Sequence, residues 1–257
     1  MLQSAFAYLS SLFAAPGFWL PAAVVLVAGL MRGFAGFGSA MLMAPIFAVL
    51  FGPTEMIAIV VTIELAVSLQ LFPQARRACD WRIIGPMSLV ACLAMPFGIW
   101  LLASADKDLI VKGVSAIIVL FVAVLASGLR WKGERSVAGG ALVGAISGMM
   151  MSVTSVGGPP VLMYLLAGND PPARHRANII TYYMATQIPL IAIMFWGGIA
   201  GWDSVVRGIV LLPLMLVGSW IGAKLFQPEN ERLYRNVALV ILFCAGAFGL
   251  LRDVIMP

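Results

Sequence analysis

Apolar residues along this 257-residue chain fall into eight long blocks that are separated by short polar segments. The blocks cover residues 17–50, 54–72, 83–104, 109–129, 136–168, 176–198, 204–226 and 233–251. Six of them contain 19 to 23 residues, about the length that one α-helix needs to cross ~30 Å of hydrocarbon. The pattern therefore predicts an all-α polytopic membrane protein.

The first and fifth blocks are too long for a single crossing, and small residues interrupt each of them near its middle. The interruptions are Arg32–Ser39 (RGFAGFGS) and Ser152–Pro160 (SVTSVGGPP). Glycine clusters and consecutive prolines do not continue a helix cheaply. Each long block is therefore predicted to be a broken, re-entrant helical hairpin of two half-helices, with about 15 residues or about 22 Å in each half.

The basic residues of the loops indicate how the chain is oriented, because cytoplasmic loops carry an excess of Lys and Arg. Eleven of the sixteen Lys and Arg residues lie in the four loops on one side, and four lie in the loops on the other. The eleven lie in loops 73–82, 129–136, 168–178 and 224–235. With these loops in the cytoplasm, both ends of the fifth block are cytoplasmic and both ends of the first block are not.

The two halves of the chain are therefore predicted to be inverted repeats, each a broken hairpin followed by three spans. At an offset of 119 residues, Gly38 and Ser39 fall on Gly157 and Gly158. The predicted units are 1–130 (hairpin 17–50, spans 54–72, 83–104 and 109–129) and 131–257 (hairpin 136–168, spans 176–198, 204–226 and 233–251). Residues 1–16 lack the basic segment of a secretory signal and are predicted to form a short extracytoplasmic or interfacial segment.

The composition excludes several classes of function. Hydrophobic residues make up 62% of the chain and charged residues 11%, whereas soluble domains carry about a quarter charged residues. The net charge of +5 is accounted for by the orienting loops, so no nucleic-acid partner is expected. Three cysteines without a CxxC pair and a single histidine supply no zinc site or disulfide scaffold. No cofactor, metal or catalytic residue is predicted, and an intramembrane enzyme is not expected.

Arg32 and Glu64 are the charged residues that lie deep inside apolar blocks. A charge at this depth is costly and needs a partner or water. One interpretation makes Arg32 an anion-binding group and Glu64 a site for a coupling proton. The other makes them a structural ion pair that fixes the first hairpin to the second block.

The two breaks are the second candidate feature. A helix that restarts at Ser39 or Pro159 presents unpaired N–H groups and a positive dipole end, which suit an anion. The alternative is that the glycines only permit close helix packing. The predicted substrate-binding residues are Arg32, Gly36, Gly38, Ser39, Ser155, Gly157, Gly158 and Gln187, with Glu64 for proton coupling.

The glycine patterns at these breaks resemble the signatures of the sulfite exporter TauE/SafE family. The first runs from Gly29 through the GFAGFGS segment 33–39 to Pro45, and the second from Gly144 to Pro159. The resemblance covers essentially the whole chain. It implies a multi-pass transporter of the bacterial inner membrane that moves sulfite, sulfoacetate or other small organosulfonates.

The resulting prediction is a secondary transporter, an exporter of small sulfur-containing anions that works by alternating access around a midplane site. The alternatives are an anion channel and a non-transporting subunit of a membrane complex. The expected partners are the anionic substrate, the lipid bilayer, a coupling proton or cation, and a second copy of the chain in a homodimer.

Overall fold

The computed structural model describes residues 18–35, 38–127, 135–167, 170–225 and 231–251. These residues form ten helices and no strand. The helices are α1 (Trp19–Ala35), α2 (Ser39–Phe51), α3 (Pro53–Ala78), α4 (Trp81–Ser104), α5 (Lys107–Ser127), α6 (Val137–Thr154), α7 (Gly158–Leu165), α8 (Pro172–Trp196), α9 (Trp202–Leu225) and α10 (Glu231–Leu250). The predicted N-terminal segment 1–16 lies outside the described residues.

Five of the described helices are long and apolar enough to cross a membrane. They are Pro53–Ala78, Trp81–Ser104, Val137–Thr154, Ala173–Trp196 and Trp202–Gly222. Four of them fall on the predicted spans 54–72, 83–104, 176–198 and 204–226, while α5 and α10 fall on the spans 109–129 and 233–251. The prediction of an all-α polytopic membrane protein is confirmed.

The bundle has the polarity of a protein that is solvated by lipid. Large apolar side chains face outward, among them Trp196 at 94% exposure, Trp202 at 74% and Leu93 at 72%. The charged pair Arg32 and Glu64 is buried instead. Lipid tails accept apolar surface without cost, whereas charged groups must be satisfied inside the protein.

The first break separates α1, which ends at Ala35, from α2, which begins at Ser39. Gly38 caps α2 with φ of 96°, a left-handed conformation that glycine adopts without the strain of a Cβ. The restart of the helix at Ser39 is therefore confirmed. Gly36, a predicted site residue, lies outside the described residues.

The second break lies at residues 155–157, inside the predicted interruption Ser152–Pro160. The two halves are unequal, because α6 has 18 residues and α7 has 8, in place of two halves of about 15. Helix α6 ends at Thr154, and Ser155 then takes φ of 60°. Helix α7 begins at Gly158, one residue before the predicted start at Pro159, so that the two prolines occupy its first turn, where an N–H is dispensable.

Helices α4 and α6 cross at very short distance because glycines face carbonyl groups. A Cβ added at Gly144 would lie 2.3 Å from the oxygen of Met87, and one at Gly148 would lie 2.2 Å from the oxygen of Ala91. From the first contact to the second, the residue number rises by four in both helices. Helices α4 and α6 are therefore parallel. Small residues allow this kind of backbone approach in membrane proteins.

Helices α1 and α9 make a similar crossing. A Cβ at Gly29 would lie 2.6 Å from the oxygen of Met215, and one at Gly218 would lie 2.4 Å from the oxygen of Leu26. The first half of each broken hairpin therefore packs on a span that is distant in sequence, α1 on α9 and α6 on α4.

The two ends of the second broken block lie together. Nη2 of Arg135, just before α6, lies 2.7 Å from Oδ2 of Asp170, just before α8, and Arg174 also pairs with Asp170. Burial raises the pKa of Asp170, but the hydrogen bond and charge of Arg135, followed by those of Arg174, outweigh it and hold that pKa below 3.8. The chain thus leaves this block next to where it entered.

Candidate anion site at the broken helices

A buried ion pair lies where α1 approaches α3. Nη1 of Arg32 is 2.7 Å from Oε2 of Glu64, and each side chain is 2% exposed. A lone charge at the centre of a membrane span costs about 3 kcal/mol or more, and pairing offsets that cost only when the geometry is good. The contact joins the end of the first half-helix to the middle of the next span.

Two further side chains complete this cluster. The hydroxyl of Ser39, the first residue of α2, donates a hydrogen bond to Oε1 of Glu64. The guanidinium of Arg32 lies over the ring of Tyr183 on α8, with Cζ 5.5 Å from the ring centroid, a distance at which a cation is attracted to an aromatic face. We call Arg32, Ser39, Glu64 and Tyr183 the central cluster.

One edge of the Arg32 guanidinium is free. Nη1 faces Glu64, whereas Nε and Nη2 find no hydrogen-bond acceptor among the described residues. Nε–H and Nη2–H point the same way and form the fork that binds two oxygens of one carboxylate or other oxyanion. A buried donor without an acceptor costs about 1–3 kcal/mol, and more when it is charged. This edge is therefore chemically suited to an anion.

Residues of the central cluster and of both breaks enclose a small cavity. It has a volume of about 10 Å³, which is room for about one water molecule. Its lining residues are Arg32, Gly38, Ser39, Ala40, Met41, Gly158, Pro159, Leu162, Ile179 and Tyr183. Both breaks thus reach the same point in the bundle.

The two helix starts at this cavity differ in how many donors they offer. No side chain caps α2, so the N–H groups of Ser39, Ala40 and Met41 have no acceptor within the helix. In α7, Pro159 and Pro160 have no N–H, so that the N–H of Gly158 is the main free donor of its first turn. The start of α2 therefore offers more free N–H donors to the cavity than the start of α7 does.

A hydrogen-bonded network fixes the second break to α8. The hydroxyl of Tyr182 donates to Oγ of Ser147 at 2.7 Å, and Ser147 donates to the carbonyl oxygen of Gly157. A Cβ at Gly158 would lie 2.2 Å from the hydroxyl oxygen of Tyr183. Gly158 therefore allows α8 to pack directly on the backbone of the break.

Comparison with protein families gives one assignment. The family model described as Sulfite exporter TauE/SafE matches residues 21–249, a range that includes both breaks and the whole central cluster. The chain belongs to the TauE/SafE family. Members of the TauE/SafE family are membrane transport proteins of the sulfite-exporter type, so the chain is a multi-pass membrane transport protein and not an enzyme. Comparisons with curated proteins and with solved structures gave no match.

The structure of this TauE/SafE chain brings five of the nine predicted site residues together. Arg32, Gly38, Ser39 and Gly158 line the cavity, and Glu64 contacts two of them, Arg32 and Ser39. The sequence prediction reached these five through the cost of a buried charge and through the glycine breaks.

Three predicted residues lie away from the cavity walls. Oγ of Ser155 is 3.6 Å from Sδ of Met56, and Gly157 directs its carbonyl group to Ser147. Gln187 lies on α8, one turn after Tyr183, and is 2% exposed. The left-handed conformation of Ser155 and the hydrogen bond of Gly157 serve the turn itself.

Tyr183 belongs to the central cluster of this TauE/SafE chain but was not among the predicted site residues. Nothing in its local sequence separates it from the neighbouring Thr181 and Tyr182. One signal was available: Tyr183 follows Glu64 by 119 residues, the same offset that relates Ser39 to Gly158.

Proposed function

We propose that this chain is a secondary transporter that exports small sulfur-containing oxyanions such as sulfite, sulfoacetate and other organosulfonates across the inner membrane of a bacterium. The anion binds at the cavity between the two breaks. The free edge of Arg32 holds two of its oxygens, and the first N–H groups of α2 hold a third. Family membership supports the class of transport, and the free edge of Arg32 is the observation that carries the site.

Glu64 supplies the coupling. In the empty site, Arg32 and Glu64 neutralise each other. An anion that binds Arg32 adds a negative charge beside Glu64, and burying this net charge would be costly. Uptake of one proton by Glu64 restores neutrality when the anion is monovalent, so that the anion and the proton cross together with no net buried charge at the site. Export by this cycle is electroneutral and is driven by the outward concentration gradient of the anion.

The small volume of the cavity favours alternating access over an open channel. A volume of about 10 Å³ holds about one water molecule, which is less than a sulfonate group needs. Substrate can then enter only when the helices around the cavity separate. A channel would instead need a continuous wet path through this point.

We infer an inverted repeat around the central cluster, and two contacts support it. Ser39 contacts Glu64, and Gly158 contacts Tyr183, and the members of each contact are related by the same offset of 119 residues. Helices α3 and α8, which carry Glu64 and Tyr183, occupy equivalent places in the units 1–130 and 131–257. Transporters with inverted repeats place their substrate at the repeat interface and open to each side in turn.

The test is a binding panel on the purified, full-length protein with sulfite, sulfoacetate, taurine, thiosulfate and acetate. Arg32→Ala leaves Glu64 charged and unpaired, which can destabilise the fold by about 3–5 kcal/mol. The informative variant is therefore the neutral pair Arg32→Gln/Glu64→Gln. We expect this pair to fold and to lose affinity for the sulfur anions.

Arg207→Gln is the matched control, because Arg207 is also an ion-paired arginine, with Nη1 2.6 Å from Oε2 of Glu55, but lies partly exposed and away from the cavity. This control should bind the panel as the natural protein does. Unchanged affinity in the Arg32→Gln/Glu64→Gln variant would overturn the proposed site.

A further inference from the structure

Two buried polar side chains near the central cluster each carry an oxygen atom without a hydrogen-bond partner among the described residues. Ser68 on α3 is 0% exposed and Gln187 on α8 is 2% exposed. Oγ of Ser68 and Oε1 of Gln187 find no hydrogen-bond partner among the described residues. Leaving such a group unsatisfied costs about 1–3 kcal/mol, so each calls for a physical reason.

Helix geometry alone does not explain the lone hydroxyl of Ser68. Hydroxyls in helices commonly bond to the carbonyl group four residues earlier. In the same chain, Thr62 bonds to Ala58 and Thr186 bonds to Tyr182 in this way, both at 2.7 Å. The Ser68 hydroxyl does not, and it lies on the face of α3 that also carries Glu64, one turn away.

The positions of the two groups are related across the cluster. Ser68 follows Glu64 by four residues, and Gln187 follows Tyr183 by four, which is a rise of about 6 Å in each helix. The backbone N–H of Asp80, just after the end of α3, bonds to Asn178 near the start of α8 at 2.8 Å, so the two helices run in opposite directions. Ser68 and Gln187 are therefore displaced from the cluster toward opposite faces of the bundle.

We propose that Ser68 and Gln187 are the polar contact points for water and the hydrated anion on the two approaches to the central site. Ser68 lines the approach from the face where α3 ends, beside Arg76 and Arg77. Gln187 lines the approach from the face where α8 ends, beside Trp196. Each group gains its missing partner when the bundle opens on its own side. The inference rests on the proposed central site and adds the route by which that site is reached.

Cysteine labelling from each face tests the inference. The parent chain carries Cys79→Ser, Cys92→Ser and Cys244→Ser, which replaces all three natural cysteines. Ser68→Cys and Gln187→Cys are then treated, in sealed vesicles of both orientations, with a charged thiol reagent that does not cross membranes. The reagent attacks a thiolate, which forms only where water reaches the thiol.

The matched controls are the next residues along each helix, Leu69→Cys and Ile188→Cys. Leu69 is 51% exposed and Ile188 is 49% exposed, and both face lipid, so the reagent should not label either. We expect Ser68→Cys to be labelled from the α3-end face and Gln187→Cys from the opposite face. Labelling of both from one face, or of neither from any face, would overturn the inference.

A second readout uses the natural cysteine background. Ser68→Ala and Gln187→Leu should slow sulfoacetate transport and leave the Kd for sulfoacetate unchanged, because the binding groups at Arg32 remain. Wild-type transport rates in both variants would contradict the inference.

The labelling pattern is measured without substrate, so it is independent of the affinity measurement. If the Arg32→Gln/Glu64→Gln pair retains affinity while the labelling is face-specific, the central site is wrong and the two approaches stand. If the pair loses affinity and neither cysteine is labelled, the central site stands and the two approaches are wrong.

Discussion

Arg32 and Glu64 form an ion pair at 2.7 Å in which Glu64 holds only one corner of the guanidinium and leaves the Nε–Nη2 edge free. A purely structural pair would gain more from a bidentate contact. The monodentate contact allows Arg32 to bind a second anionic group without first giving up the carboxylate. Arg32 has enough N–H donors for an anion beside Glu64. The stability of the proposed complex would then depend on how the added negative charge is balanced.

Proton-linked binding should disappear in Glu64→Gln. The groups that face Glu64 are Arg32 from α1, Ser39 from α2 and Tyr183 from α8. If one proton is taken up with each anion, the Kd of the natural protein for an alkyl sulfonate rises with pH, whereas Glu64→Gln has no carboxylate to take up the proton. Isothermal titration across pH should give this slope for the natural protein and a flat profile for the variant.

Glu55→Gln is the control for that experiment. Glu55 also pairs with an arginine, Arg207, but lies in the first turn of α3 at the edge of the bundle. The pH slope should survive in this variant. A wild-type slope in Glu64→Gln would remove Glu64 from the coupling step.

Gly158→Ala should block the site by steric conflict. The added Cβ would lie 2.2 Å from the hydroxyl oxygen of Tyr183, so the ring must leave its place over Arg32. We expect a large loss of sulfonate affinity, measured by the binding panel. Adding Tyr183→Phe removes the clashing oxygen and should restore part of that affinity, whereas a double variant no better than Gly158→Ala would show that the ring contact is not the cause.

Gly148→Ala should destabilise the bundle. Its Cβ would lie 2.2 Å from the carbonyl oxygen of Ala91, a backbone atom that cannot move without separating α4 from α6. Overpacking of this kind costs about 1–3 kcal/mol or more. Gly113→Ala on α5 is the control, since nothing lies within 4 Å of its added Cβ. Equal thermal denaturation midpoints in the two variants would contradict the close crossing.

Asp170 should contribute to stability in a pH-dependent way. Its pKa is held below 3.8 in the folded protein. The stabilisation is therefore present above the unfolded pKa and is lost as the pH falls through the folded value. Asp170→Asn should lower the free energy of unfolding by about 1 kcal/mol at pH 7, and the difference from the natural protein should vanish once the pH has fallen below the pKa of Asp170 in the folded protein. A difference that persists in acid would assign the effect to lost packing.

The helices and the two breaks could be read from the sequence because hydrocarbon imposes a strict length and penalises backbone irregularity. Ser39 was predicted as a helix start, and Arg32 and Glu64 were singled out by their buried charge. These inferences depend on local composition alone.

The partners across the bundle could not be read in the same way. The contact between Arg32 and Tyr183 joins residues 151 positions apart, and it depends on how α1 and α8 pack against α3. The close crossing of α4 and α6 has a similar origin, because it depends on Gly144 and Gly148 facing the carbonyl groups of Met87 and Ala91. Both contacts depend on how pairs of helices pack. This packing cannot be predicted from the local pattern of a single sequence.

The glycine crossings of α1 with α9 and of α4 with α6 affect how the two halves of the chain assemble. Helix α1 packs on α9, and α6 packs on α4, so each hairpin packs on a span from the other half of the chain. If transport proceeds by alternating access, the bodies that move relative to one another would combine helices from both halves of the chain. We expect residues 1–130 expressed alone to leave the glycine faces of α1 and α4 without partners, and co-expression with 131–257 to rescue a membrane-inserted, protease-resistant complex. The two units would then depend on each other for folding, although each carries its own broken hairpin.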